Sequence, residues 1–322
     1  MQIRNSLKIR RSWISLSICL LLGLASCTQS NSGSTNKNAT TRVVSTSTII
    51  ANWTESIAGG EIQHTSILQP GADPHVYEPT PKDTRDFEQA NLILYNGYNL
   101  EPGLIRLMES SGKQAKKVAV GEVVQSLQMS KEGDGRVPDP HVWGNVKHAI
   151  AIVDRIRDEL IELSPEDKAT FTQNAAKLTT ELKQLDQWIS RQIQTIPANQ
   201  RQLVTTHDAF QYYARAYGLQ VAGTLIGMST EEQPSAQTVK QLVEAIKSTG
   251  TPAIFAETTI NPTLIETVAN TAGVKLAPQK LYSDSIGAPG SDGDTYTKMM
   301  VANTTAITQN LGGNVTAFQP KP

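Results

Sequence analysis

The chain has 322 residues, 39% hydrophobic and 18% charged, with a formal charge of −1. At roughly 100–200 residues per domain this is about two domains. Typical values are about 45–50% and 25%, so the composition excludes a disordered polyelectrolyte and a polytopic membrane protein, and the near-neutral charge offers no field to attract nucleic acid. Both cysteines, Cys19 and Cys27, lie near the N-terminus. That excludes a disulfide framework or a Cys-rich zinc site in the folded body.

Arg4, Lys8, Arg10 and Arg11 precede a mostly apolar run over residues 12–24. This is the pattern of an export signal, and the run is shorter than the ~20 residues a membrane span needs. Leu24-Ala25-Ser26-Cys27 resembles the lipobox of bacterial lipoproteins, which implies removal of residues 1–26 and lipidation of Cys27. Removing residues 1–26 takes away four positive charges and no negative one, leaving about −5, a surface that favours cations over polyanions. Residues 27–41 read as a flexible tether.

From residue 42 short β-rich runs alternate with helical periods. The pattern predicts strands at 43–46, 62–68, 92–95 and 117–120, with helices at 49–58, 81–90 and 101–110 between them. A second set follows: strands at 203–206, 219–224, 253–256 and 274–277, with helices at 208–217, 234–248 and 262–271. Such alternation implies βαβ units and parallel sheets. Between the sets lies a helix at 145–162 and then a long one. Phe171, Ala175, Leu178, Leu182, Leu185, Ile189, Ile193 and Ile196 recur at steps of three and four on one face. Ser164 is expected to cap it and Pro165 to open it, and Pro197 ends it. At 1.5 Å per residue, residues 165–196 would span roughly 48 Å. With only one apolar stripe, this helix reads as a strut along two α/β halves. The fold class is therefore α/β, with lobes at 42–163 and 198–322 joined by a rigid helix at 164–197.

The histidines are His64, His75, His141, His148 and His207. Two sit in one repeated tetrapeptide, Asp-Pro-His-Val, at residues 73–76 and 139–142. Proline before each histidine restricts the backbone and presents the imidazole rigidly, as a metal ligand needs. His207 follows a predicted strand, at the carboxyl end where open α/β sheets gather ligands. His64, in a strand pattern, and His148, on a helix, read as structural. Three imidazoles call for a carboxylate beside them. Asp284, just after the last predicted strand, is the best placed, with Asp292 and Asp294 of the glycine-rich loop as alternatives. Glu257, at the end of the 253–256 strand, reads as an outer acceptor rather than a ligand.

At these residues the chain resembles the substrate-binding lipoproteins of bacterial manganese/zinc ABC transporters, the cluster A-I or cluster 9 binding proteins. The resemblance runs over about residues 42–315 and is carried by residues 71–79, 139–143, 204–210, 255–257 and 281–284. It implies two α/β lobes, one long linking helix, and an Mn²⁺ or Zn²⁺ held between the lobes by His75, His141, His207 and Asp284. It also implies an ABC permease as partner, a lipid anchor at the extracytoplasmic face of the cell envelope, and a monomer that is not an enzyme. Zinc-specific members often carry a His- and Asp-rich loop and a disulfide, both absent here, which leans slightly to manganese. Many manganese members, however, have glutamate where this chain has His207. Release is expected through small movements around Asp284. Metal binding is expected to weaken as pH falls through about 6.5. The rival readings are a surface adhesin on the same fold and a zinc hydrolase; no HExxH, GxSxG or P-loop pattern supports the latter.

Overall fold

The computed structural model describes residues 41–131 and 135–321; the export signal, Cys27 and nearly all of the tether lie outside the described residues. β1 (Arg42–Ser45), β2 (Gln63–Ser66), β3 (Leu92–Tyr95) and β4 (Lys116–Ala119) form a parallel sheet in the order β2-β1-β3-β4. Val43 pairs with His64 on one side and Leu92 on the other. Alternate side chains point to opposite faces. Val43, Leu92 and Leu94 enter a central core, while Val44 and Ile93 meet Phe87, Leu104 and Met108 on the outer face. That outer layer is α2 (Pro81–Gln89) and α3 (Pro102–Ser111), each opened by proline, whose missing N–H costs nothing in a first turn. α1 (Thr48–Ala58) starts where the Ser47 side chain accepts the Ile50 amide and stops at Gly59, which takes the left-handed conformation at φ 60°.

The second half repeats the plan. β7 (Gln202–Thr205) pairs in parallel with β8 (Gln220–Thr224), and β9 (Ala253–Ile254) with β10 (Lys275–Leu276). Phe255 N donates to Val204 O at 3.0 Å and links the two pairs. The sequence β8-β7-β9-β10 thus parallels β2-β1-β3-β4. Leu203 and Phe255 face the central core; Val204 and Ile254 pack outward on Leu242, Ile246, Ile265 and Val268. Those come from α7 (Ala236–Thr249) and α8 (Thr263–Ala272). The short helix α6 (Gln211–Tyr217) begins three residues later than the sequence suggests.

α4 (Val146–Leu163) and α5 (Lys168–Gln194) run between the halves. The expected 165–196 helix is shorter than read. Residues 165–167 form a 3-10 turn, and α5 is 27 residues, about 40 Å. Ser164 does not cap it: its hydroxyl donates to Asp167 Oδ2 at 2.6 Å. The apolar stripe is as expected, with Trp188 added and Leu178 only partly buried. α5 touches α1, α4, α6 and α9 (Tyr296–Asn310), so it packs on elements from both halves. Truncating Leu182 or Leu185, both fully buried, would cost about 2–5 kcal/mol.

Two features went unpredicted. The antiparallel hairpin of β5 (Gln128–Lys131) and β6 (Gly135–Pro138) has no strict apolar alternation. Helix α9 buries Asn303, Thr304 and Thr308 beside Met299, Met300 and Ile307, so polar residues interrupt its apolar period.

Candidate metal centre

Both Asp-Pro-His segments fold alike. Asp73 Oδ1 accepts the His75 amide at 2.9 Å, and Asp139 Oδ1 accepts the His141 amide at 3.0 Å. An aspartate that binds the amide two residues on makes a turn of its own side chain. The turn and the proline together fix where each imidazole leaves the backbone. The copies then diverge. Asp139 Oδ1 also accepts from His141 Nδ1 at 2.8 Å, whereas Asp73 Oδ2 accepts from the Thr230 hydroxyl at 2.6 Å.

His207 stands just past β7. Its amide donates to Glu257 Oε1 at 2.8 Å and its Nδ1 to Glu257 Oε2. Glu257 is positioned by a parallel bridge to Leu281. Asp284 follows on that same stretch, and its neighbours are fastened to the first half. Trp143 Nε1 donates to Ser283 O at 3.0 Å, and Ser285 Oγ lies 3.0 Å from Thr48 Oγ1 and accepts the Gly71 amide at 2.8 Å.

These segments bring His75, His141, His207 and Asp284 together, their donor atoms all within 4.8 Å of one another. His75 Nε2 is 3.3 Å from His141 Nε2 and 3.9 Å from Asp284 Oδ2. His141 Nε2 is 3.5 Å from Asp284 Oδ1, and His207 Nε2 is 3.1 Å from Asp284 Oδ2. Four donors around an ion at ~2.0–2.1 Å would stand about 3.3 Å apart in a tetrahedron. The spacing therefore fits one small divalent cation. All four residues are buried; His75 retains 5% exposure, Asp284 1%, and the other two none. His207 Nε2 and both Asp284 oxygens have no hydrogen-bond partner.

The carboxylates behind the rings set the tautomers. Nδ1–H donation to Asp139 and Glu257 leaves Nε2 of His141 and His207 as lone-pair donors aimed inward. Burial holds His75 down to about 3, against the pull of Asp284, so this ring is neutral. Burial alone would also lower His207, but Glu257 and Asp284 override it and hold its protonated form well above the ordinary histidine range. Burial would raise Asp284; His207 first, then His141 and His75, bring it below the usual carboxylate range. Without an ion, the two carboxylates thus favour the protonated form of His207, and an ion would have to displace that proton from Nε2.

The remaining candidates lie elsewhere. Asp292 accepts from Tyr282 OH, and Asp294 accepts the Gly290 amide and pairs with Lys298 at 2.8 Å. His64 bridges Ser45 and Glu55, and His148 stacks edge-on against Tyr212. Sequence reasoning passed over Asp139 and Asp73. The signal available was the aspartate shared by the two tetrapeptides.

Known proteins share this arrangement of elements. A family model described as zinc-uptake complex component A, periplasmic (ZnuA), matches residues 43–310. The metal ABC transporter substrate-binding lipoprotein FimA of Streptococcus parasanguinis is 34% identical over 307 residues, covering 93% of this chain and 98% of that protein. The manganese ABC transporter substrate-binding lipoprotein PsaA of Streptococcus pneumoniae is 32% identical, covering 93% and 98%. Among solved structures, the periplasmic zinc-binding protein TroA of Treponema pallidum superposes with a TM-score of 0.80 at 34% identity, covering 84% of this chain and 99% of that one. With most of its length matched by the family model and by relatives of this similarity, the chain belongs to the ZnuA family of zinc-uptake complex component A proteins.

Proposed function

We propose that this protein is the substrate-binding component of an ABC importer: it captures one Mn²⁺ or Zn²⁺ at His75, His141, His207 and Asp284 and hands it to a membrane permease. The observation that carries the reading is the buried donor set itself, three imidazoles and one carboxylate whose donor atoms all lie within 4.8 Å of one another. A buried carboxylate among three imidazoles offers a divalent cation both charge and lone pairs in one place. Residues 42–163 and 198–322 act as two lobes and 164–197 as their link, so each lobe supplies two ligands. Four protein donors favour carriage over hydrolysis, because catalytic zinc keeps three and an open water position.

Three nitrogens and one oxygen suit zinc, and the general affinity order favours it. Yet Asp284 turns Oδ1 towards His141 and Oδ2 towards His75 and His207. Bidentate binding would add an oxygen, which suits manganese. With relatives such as PsaA named for manganese, the reading leans slightly to Mn²⁺, with Zn²⁺ nearly level. The protein works as a monomer at the extracytoplasmic face of the membrane, anchored through a lipid on Cys27. Among the described residues no helix is long and apolar enough to cross a membrane. The test is metal analysis after equilibrium dialysis of the metal-stripped protein. One ion per chain, lost in Asp284→Ala, is expected; no ion retained, or full retention in the variant, would overturn the assignment.

A further inference from the structure

We propose that residues 227–232 are the door through which the ion reaches its site, and that the hydrogen bond from Thr230 to Asp73 is the latch. The proposal rests on the metal-capture reading above and adds where, and by what, exchange is controlled. Of the four donor residues, His75 lines a cavity that opens to the surface and is the most exposed, at 5%. The cavity, about 190 Å³, has Tyr98 and Asn99 on one side and Met228, Ser229 and Glu232 on another. An ion entering there meets His75 first.

The two sides are held very differently. Tyr98 donates through its hydroxyl to Val124 O at 2.6 Å and through its amide to Glu122 Oε1 at 3.1 Å, and Pro138 and Pro140 also line the cavity. The opposite segment leaves β8 through Gly227, whose carbonyl accepts the Asp208 amide at 3.1 Å. From residue 228 to 234, among the described residues, one hydrogen bond reaches the rest of the fold: Thr230 Oγ1 to Asp73 Oδ2, 2.6 Å. The others, Glu232 N to Ser229 O and Glu231 N to Ser229 Oγ, stay within the segment. The segment is neither helix nor strand. One hydrogen bond therefore ties it to the rest of the fold.

That contact also reports on the site. The carboxylate that takes the Thr230 hydroxyl on Oδ2 takes the His75 amide on Oδ1. Opening the latch frees the door while the Asp73 bond to the His75 amide stays in place. Exchange then needs no wide separation of the two halves, which α5 and the Ser285–Thr48 contact hold together.

The experiment follows Mn²⁺ and, separately, Zn²⁺ in stopped flow: capture by the metal-stripped protein, and release into excess chelator. Variants are Thr230→Val, which has no hydroxyl, and Thr230→Ser, which keeps it. A hydrogen bond to a charged group is strong enough that its loss should speed release on the order of tenfold or more. Capture should quicken by a similar factor, leaving the dissociation constant within about threefold, because a latch acts on the barrier and not on the bound state. Thr230→Ser should behave as wild type. Metal-free melting of Thr230→Val serves as the folding control. Release by Thr230→Val within twofold of wild type would overturn the latch. So would faster release with unchanged capture, which would make Thr230 a prop for bound His75. Failure of wild type to take up either ion would instead overturn the metal-capture reading, and the door with it.

Discussion

Glu257→Gln isolates the contribution of a carboxylate that holds a donor residue without being one of the four donors. Glu257 is fully buried and uses both oxygens on one residue, Oε1 for the His207 amide and Oε2 for Nδ1. Glutamine offers one oxygen and an NH₂. If the oxygen keeps the amide, the NH₂ faces Nδ1 and favours the tautomer with the proton on Nε2, where the ion must bind. If the oxygen keeps Nδ1, the buried amide of His207 is left facing a donor. Either way one bond to a charged group is lost, about 1.5–3 kcal/mol. At 1.4 kcal/mol per factor of ten in affinity, this is roughly 10–100-fold, the range typical for losing an outer partner of a histidine ligand. Competition against a chelating dye, with Zn²⁺ and with Mn²⁺, measures it directly. A dissociation constant within threefold of wild type, in a variant whose metal-free melting is normal, would refute the argument that Glu257 sets the working tautomer of His207.

Asp139→Asn should act likewise through His141, with a loss of about 10–100-fold in the same dye assay. Metal binding should release a proton, because a ligand histidine must be deprotonated and His207 holds its proton well above the ordinary range. Affinity should therefore rise with pH and still be climbing past 6.5. His75, neutral down to about 3, adds nothing to that slope, so a flat profile would contradict the protonation of His207. Glu101, buried with bonds from Asn96 N and Thr46 Oγ1, is raised from 4.5 to about 7, mainly by burial. A carboxyl raised in the folded state destabilises the fold above its folded value, and the cost fades as pH falls from there towards 4.5. Glu101→Gln should thus stabilise the metal-free protein by up to about 3 kcal/mol at pH 8 and by little at pH 5, measured by urea unfolding. Equal effects at both pH values would refute it.

The parts legible from residues alone were those with local signatures. The repeated Asp-Pro-His marks a turn that builds itself from its own side chains, and His207 sits at a strand end that hydrophobic alternation locates. Glu257 was legible for the same reason, as the residue after a buried run. Asp139 and Asp73 were not. An acid two residues before a histidine reads as a solvated turn residue, and only the fold shows that Asp139 is sealed under His141 while Asp73 reaches across to Thr230. The protonation of the site was also invisible: isolated histidines titrate near 6.5, but burial and carboxylate neighbours move His75 and His207 in opposite directions. Helix α9 escaped because its buried face is built partly from Asn303, Thr304 and Thr308; of these, Asn303 and Thr304 have distant hydrogen-bond partners. Asn303, for example, accepts the Tyr282 amide and donates to its carbonyl. Such long-range pairing leaves no period in the sequence. The early break in the long helix, by contrast, follows from the hydroxyl of Ser164 turning to Asp167 instead of to a backbone amide.

The central claim is that the His75, His141, His207 and Asp284 cluster is a high-affinity site for one divalent cation. Thermal unfolding of the metal-stripped protein, titrated separately with Mn²⁺ and Zn²⁺, tests it most directly. An ion at about 1,000 times its dissociation constant adds about 4 kcal/mol, a shift of several degrees or more for a protein of this size. The account predicts such a shift at micromolar metal for wild type and its loss in Asp284→Ala. No shift with either ion, or an equal shift in wild type and Asp284→Ala, would contradict it.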